Sequence, residues 1–243
     1  SGILSGFIAG SGSGFSGGKF VRKFEEKLKK FYKVKHAIVL NSWTSGLIAS
    51  VGSLDIEPGD EIITTPFSMC ASAISILHWN AIPVFADIDE ETFCIDPESV
   101  KRKITKRTKA IIVADIFGLS HDIDTINKIA KKNNLKVITD AAQAPFSFYK
   151  KRIVGTQSDI GGFSYNYHKH IHTGEGGAIV TNNKTLAERM KKIRNHAEAA
   201  VLKNDKLNNM IGFNFRMGEI EAAIGIQQYK KLKIILRRRE KQL

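Results

Sequence analysis

Cysteine is scarce in this chain. Cys70 and Cys94 stand alone among 243 residues, without the CxxC spacing of a zinc or redox site. Two unpaired thiols exclude a disulfide-stapled scaffold and suit a reducing compartment, so the cytoplasm is the expected location. No apolar run approaches the length that spans a bilayer, and no membrane insertion is expected. The opening stretch SGILSGFIAGSGSGFSGG lacks the charged start and continuous apolar core of a signal peptide. Internal repeats and low-complexity linkers are missing as well. Acidic residues are outnumbered, 24 against 37 Lys and Arg, leaving a net charge of +13. Such an excess suits nucleic acid, an acidic surface or a phosphorylated small molecule. The basic runs KFVRKFEEKLKK and KKLKIILRRREK read as solvated helix faces, so no nucleic-acid partner is expected. The chain begins at Ser1 and stops inside a basic helical pattern, which predicts a partial chain.

What is present is ordinary globular material, 42% hydrophobic and 25% charged. Val21, Phe24, Leu28 and Phe31 recur at spacings of three and four, predicting an amphipathic helix. Short apolar runs follow, separated by helical patterns: HAIVLN, EIITTP, IPVFAD, KAIIVAD and LKVITD. Two further strand candidates, DIGGFSYN and GAIVTN, come next, and from Thr185 onward the chain reads as helices, the last starting at Gly218. Strands alternating with helices at this rhythm predict one α/β domain, with a mostly parallel sheet covered by helices on both faces. In such sheets ligands bind beyond the carboxyl ends of the strands. Polar residues at those ends include Asn41, Asp87, Asp115, Asp140 and Asn182, most of which are expected only to cap or turn.

Three segments bear on chemistry. GSGFSG (12–17) has GxGxxG spacing, but no acidic residue closes the strand after its helix, and it reads as flexible turn. His168, His170 and His172 alternate, so on an extended strand they would share a face and gather a metal; Lys169 interrupts them, and no metal site is expected. A lysine held for covalent chemistry has better support. Its amine attacks carbonyls only where the site lowers its pKa. With pyridoxal phosphate it would need a carboxylate for the ring nitrogen and a helix start for the phosphate. Asp140, closing LKVITD, and NSWTSG (41–46), between a strand and a helix, are placed for those roles, although either reads equally as a plain cap or turn.

FSYNYHKHIHTGEGG closely resembles the lysine signature of the DegT/DnrJ/EryC1/StrS aminotransferases, sugar-modifying members of the fold-type I pyridoxal-phosphate enzymes. GGKFVRKFEEKLKKFY, EPGDEIITTPFSMCASA, IPVFADID, TKAIIVADIFG, VITDAAQA and GFNFRMGEIEAAIG follow the family's order across essentially the whole chain. The resemblance implies an aspartate-aminotransferase-like large domain over 1–243, with 218–243 as the helix leading to a smaller C-terminal domain that this chain lacks. It implies that Lys169 anchors the cofactor and carries protons, and that Asp140 pairs with the pyridinium nitrogen. Gln143 would lie beside the ring hydroxyl, and Thr44 and Ser164 would bind the phosphate. Asn214 would reach the phosphate in a partner subunit's site, with Arg216 approaching substrate there, which makes a homodimer the expected unit. The implied reaction moves an amino group from L-glutamate to a nucleotide-diphosphate keto-sugar, in surface-polysaccharide or secondary-metabolite biosynthesis.

Two residues depart from the family's pattern. Trp43 stands where many relatives carry glycine or another small residue, and is expected at the cofactor or as a wall of the sugar pocket. Met69 stands where relatives often stack an aromatic on the cofactor ring. Some relatives that dehydrate sugars carry histidine in the anchoring slot, so a one-residue slip would seat His168 or His170 there; the motif on both sides holds Lys169 in register. A dehydratase-like keto-sugar enzyme and a non-catalytic binding relative are the alternatives. If Met69 covers the ring by sulfur–aromatic contact, worth about 0.3–1.5 kcal/mol, Met69→Ala weakens pyridoxal phosphate binding several-fold in a fluorescence titration. Unchanged affinity removes Met69 from the ring.

Overall fold

A computed structural model of the protein describes residues 4–8, 13–197 and 210–242. The helices are α1 (Lys19–Tyr32), α2 (Trp43–Gly52), α3 (Ala71–Leu77), α4 (Pro97–Lys103), α5 (Ile123–Lys132), α6 (Lys184–Arg194) and α7 (Glu219–Glu240). The strands are β1 (His36–Leu40), β2 (Glu61–Thr64), β3 (Ile82–Phe85), β4 (Thr108–Ala114), β5 (Lys136–Asp140), the short hairpin β6 (Phe148–Tyr149) and β7 (Arg152–Ile153), β8 (Ile160–Ser164) and β9 (Gly177–Thr181). Seven of them form one sheet in the order β1-β9-β8-β5-β4-β2-β3. Only β9 runs against its neighbours; the β2–β3, β2–β4, β4–β5 and β5–β8 pairs are parallel.

Side chains on alternate strand residues feed two layers, as the period of two requires. Ala37, Val39, Phe163, Ala178 and Val180 face the helices α1 and α7. Ile38, Leu40, Ile138 and Ile179 face α2 and α6 on the other side. The helical spacing expected for α1 is realised by Val21, Phe24 and Leu28, all fully buried. Phe31 is only partly buried, and Tyr32 takes the deeper position.

The N-terminus of α1 has no side-chain cap of its own. Glu219, the first residue of α7, supplies one: its carboxylate accepts from the backbone N–H of Phe20 at 2.7 Å and of Val21 at 3.2 Å. Gly18 must be glycine for this approach, since a Cβ there would stand 2.7 Å from that carboxylate. Farther along the same helix pair, the hydroxyls of Tyr32, Tyr165 and Tyr229 form a buried chain, at 2.9 and 3.0 Å. Burial pushes all three phenols up from their ordinary pKa.

The helical expectation after Thr185 is corrected for the segment preceding α7. Residues 213–216 are extended: Arg216 bridges Leu40 and Asn214 bridges Asn195. The physical reason is that β1 is an edge strand with unpaired backbone groups, and Asn41 N–H is satisfied by the carbonyl of Phe215 at 3.0 Å. Of the GxGxxG match, Gly12 lies outside the described residues, and Ser13–Ser16 form a single 3₁₀ turn. Among the described residues, no helix is long and apolar enough to cross a membrane. Phe24 packs against Tyr165 and Tyr229 at the heart of the α1–α7 layer. Phe24→Ala therefore destabilises the protein by about 3–5 kcal/mol in urea unfolding; a loss below about 1 kcal/mol means this layer is not part of the cooperative core.

Candidate active site

Parallel strands deliver their carboxyl ends to one edge of the sheet. The chain beyond β1, β2, β4, β5 and β8, and the residues just before the reversed strand β9, surround a cavity of about 270 Å³ there. Seven of the expected site residues line it: Trp43, Thr44, Met69, Asp140, Gln143, Ser164 and Lys169. Asn214 and Arg216 do not; Asn214 is exposed in the bridge to Asn195, and Arg216 donates to Asn195 Oδ1 at 2.9 Å.

Asp140 is the last residue of β5 and is 6% exposed. Its Oδ1 accepts from the Trp43 indole N–H at 2.7 Å and from Ala142 N–H at 3.1 Å, while Oδ2 accepts from Ser72 Oγ at 3.2 Å. Burial raises its pKa, with Asp115 adding to the rise, and these three donors work against it. Trp43 thus lines the cavity while almost wholly buried, with its indole beside the carboxylate.

Lys169 sits in the turn between β8 and β9. The base of that turn is closed by Tyr165 N–H to Gly176 O at 2.8 Å and Thr173 N–H to Tyr165 O at 2.9 Å. Burial lowers the lysine's pKa, and the Asp140 carboxylate opposes that effect. The three histidines fall in this same turn, so the extended geometry that would align them on one face is not formed. His168 lines the cavity, whereas His170 lies near the Phe146 ring, at 6.3 Å between centroids. Among the described residues, no group of three or more His, Cys, Asp or Glu is placed to hold a metal.

The other end of the cavity is the start of α2. Ser42 caps this helix by accepting from Ser45 N–H at 3.0 Å, and Thr44 is exposed in its first turn. Gln143 accepts the Phe117 N–H through Oε1 at 3.2 Å, which leaves its amide donors for the cavity. Phe117 holds a left-handed backbone, φ 52°, to make that contact. Two neighbours had no assigned role in the sequence. Ser72 reaches Asp140 from α3, and Asp115 pairs with His121 Nδ1 at 2.7 Å, both side chains fully buried. Asp115 was visible as a strand-end acid, but nothing local marks His121 or Ser72 as its or Asp140's companion.

These residues fit pyridoxal phosphate. An amine with lowered proton affinity and a buried carboxylate with an acceptor site still open on Oδ2 face one cavity, and a helix N-terminus flanked by hydroxyls closes its far end.

Comparison with known proteins agrees. The model of the DegT/DnrJ/EryC1/StrS aminotransferase family matches residues 8–243. The chain is 38% identical to a GDP-perosamine synthase of Escherichia coli O157:H7, over 93% of this chain and 62% of that protein. The structure of Helicobacter pylori PseC, an aminotransferase involved in the biosynthesis of pseudoaminic acid, is 39% identical with a TM-score of 0.82, covering 89% of this chain and 59% of that one. A GDP-4-keto-6-deoxymannose-3-dehydratase with a trapped PLP-glutamate geminal diamine is 28% identical with a TM-score of 0.81, covering 89% and 61%. The chain thus spans about three fifths of the length of these relatives. The fold is that of the fold-type I aminotransferases.

Because the folded protein holds the Asp140 proton more tightly than the unfolded chain does, this group's contribution to stability falls as pH rises through the ordinary carboxylate value of about 3.9 toward the raised one. Asp140→Asn, stripped of bound small molecules, should melt at or above the wild type at pH 7, each 1 kcal/mol being worth about 2–4 °C. The difference should shrink in acid. A clearly lower melting temperature at pH 7 contradicts this assignment.

Proposed function

The chain belongs to the DegT/DnrJ/EryC1/StrS aminotransferase family, and on that premise we propose that it is the cofactor-binding part of a pyridoxal-phosphate enzyme that moves an amino group from L-glutamate to a nucleotide-linked keto-sugar. The observation that carries the reading is the pairing, across one cavity, of the Lys169 amine with the buried Asp140 carboxylate. Surface polysaccharide or secondary-metabolite sugar synthesis is the setting, and one relative is named a spore coat polysaccharide biosynthesis protein. A cytoplasmic location suits the two free thiols.

Bound in the cavity, pyridoxal phosphate supplies an electron sink for removal of a proton from the carbon bearing nitrogen. The protein's part is positioning, charge and proton movement. Lys169 Nζ, its proton affinity lowered by burial, would anchor the cofactor and then carry a proton between donor and acceptor carbons. Asp140, through Oδ2, would pair with the ring nitrogen and favour its protonated form. Thr44, Ser164 and the first turn of α2 hold the phosphate. Gln143 orients the ring hydroxyl through its free amide donors, and Met69 covers the ring. Asn214 and Arg216 serve the cavity of a second copy, which makes the working unit a homodimer, and a smaller domain following α7 completes the substrate cleft.

The dehydratase-like alternative uses the same cofactor and fold, so the amino donor decides between them. Visible absorption of the protein with pyridoxal phosphate, before and after L-glutamate, is the test. A lysine-dependent band that glutamate converts to the amine form of the cofactor, absent in Lys169→Ala, is the expected outcome. A band indifferent to glutamate refutes glutamate-driven transfer; no band from folded wild type refutes the Lys169 assignment.

A further inference from the structure

Trp43 opens α2 at the cavity, yet the residue is only 5% exposed. Room for it is cut from the backbone. A Cβ on Gly162 of β8 would stand 1.8 Å from the indole, and one on Gly46 of α2 would stand 2.5 Å from it. The indole N–H ends at Asp140 Oδ1, 2.7 Å away, where the Ala142 N–H also arrives at 3.1 Å. A carboxylate oxygen offers about two lone-pair sites, so Oδ1 is filled. Oδ2 holds the Ser72 hydroxyl at 3.2 Å and retains one site. The two oxygens of one buried carboxylate are therefore unequal, and Trp43 makes them so.

We propose that Trp43 is a positioning residue: by holding Asp140 Oδ1 it presents Oδ2 to the cofactor's ring nitrogen, and it fixes the distance between that carboxylate and the α2 N-terminus where the phosphate is held. The inference rests on the cofactor reading above and adds to it a link between the two ends of the cavity. Phenylalanine fills most of the same slot without the N–H, so the hydrogen bond and the packing are separable. A charge-assisted hydrogen bond in a buried site is among the stronger kinds, and its loss leaves only the Ala142 N–H and the Ser72 hydroxyl to orient the carboxylate.

The test is Trp43→Phe, with wild type alongside. The wild type must form the Lys169-dependent visible band; if it does not, the cofactor reading fails before Trp43 is in question. Given that band, Trp43→Phe should melt close to wild type and still form it. Its dissociation constant for pyridoxal phosphate should rise about tenfold or more, and the pH midpoint of the band should move. Affinity within twofold of wild type with an unmoved midpoint shows Trp43 to be filler and overturns the proposal. Should Trp43→Phe fail to fold, Trp79→Phe leaves Trp43 as the sole tryptophan of the two. Its indole N–H resonance should then shift on Asp140→Asn and on adding pyridoxal phosphate; a resonance indifferent to both is the refuting result.

Discussion

A carboxylate at the buried end of β5 sets the terms for everything around it. An ionised group out of water needs donors, and no single element can supply them to Asp140. They come from the first residue of α2, from Ser72 in α3 and from the backbone just past β5. Meeting that need brings α2 and α3 over the same strand ends. Across the cavity the same burial acts in the opposite sense on Lys169, lowering its proton affinity while Asp140 partly restores it. Burial around one cavity thus lowers the lysine's proton affinity and leaves the carboxylate held by three donors.

Close backbone packing makes this possible. A Cβ on Gly177, at the start of β9, would stand 2.5 Å from Trp43 N, and one on Gly161 would stand 1.7 Å from the carbonyl oxygen of Gly155. Gly177, with Gly162 under the Trp43 ring, therefore lets the loop after β1 lie directly on β8 and β9, while Gly161 admits the loop after β7. With ordinary side chains there, α2 would start farther out, and the Trp43 indole would not reach Asp140. The tyrosine chain does comparable work on the opposite face: Tyr165 ties the lysine turn through its backbone, and its hydroxyl reaches Tyr229 of α7.

The alternation of strands and helices was legible because its periodicities are local, and the strand-end rule then pointed to one edge of the sheet. Asp140 and Lys169 could be singled out for the same reason: each carries its signal within a few residues. What stayed hidden depends on contacts between distant segments. Trp43 and Asp140 are 97 positions apart, and only folding turns a bulky residue in a phosphate-type loop into a donor for a strand-end acid. The Asp115–His121 pair joins a strand end to a loop six residues on, with neither residue marked by spacing. The histidine alternation could carry meaning only on a strand, and those residues form a turn. The helical reading of the segment before α7 failed because the open edge of β1 recruited it.

The backbone does not choose the reaction. An aminotransferase and a sugar dehydratase share this fold to nearly the same degree, so the scaffold accommodates either outcome. The choice falls to the few atoms that can take up or deliver a proton where the ligand's carbon lies. In this chain the turn after β8 offers the Lys169 amine between two histidines, of which His168 lines the cavity and His170 is drawn toward Phe146. The closed base of the turn, pinned at Tyr165, Thr173 and Gly176, limits how far the register can slip. A shift of one residue would have to break those backbone bonds, at a cost that keeps the lysine facing Asp140. The hydrogen bonds that hold one loop in register thus decide which side chain the turn presents to the cavity, on a fold that is otherwise indifferent to it.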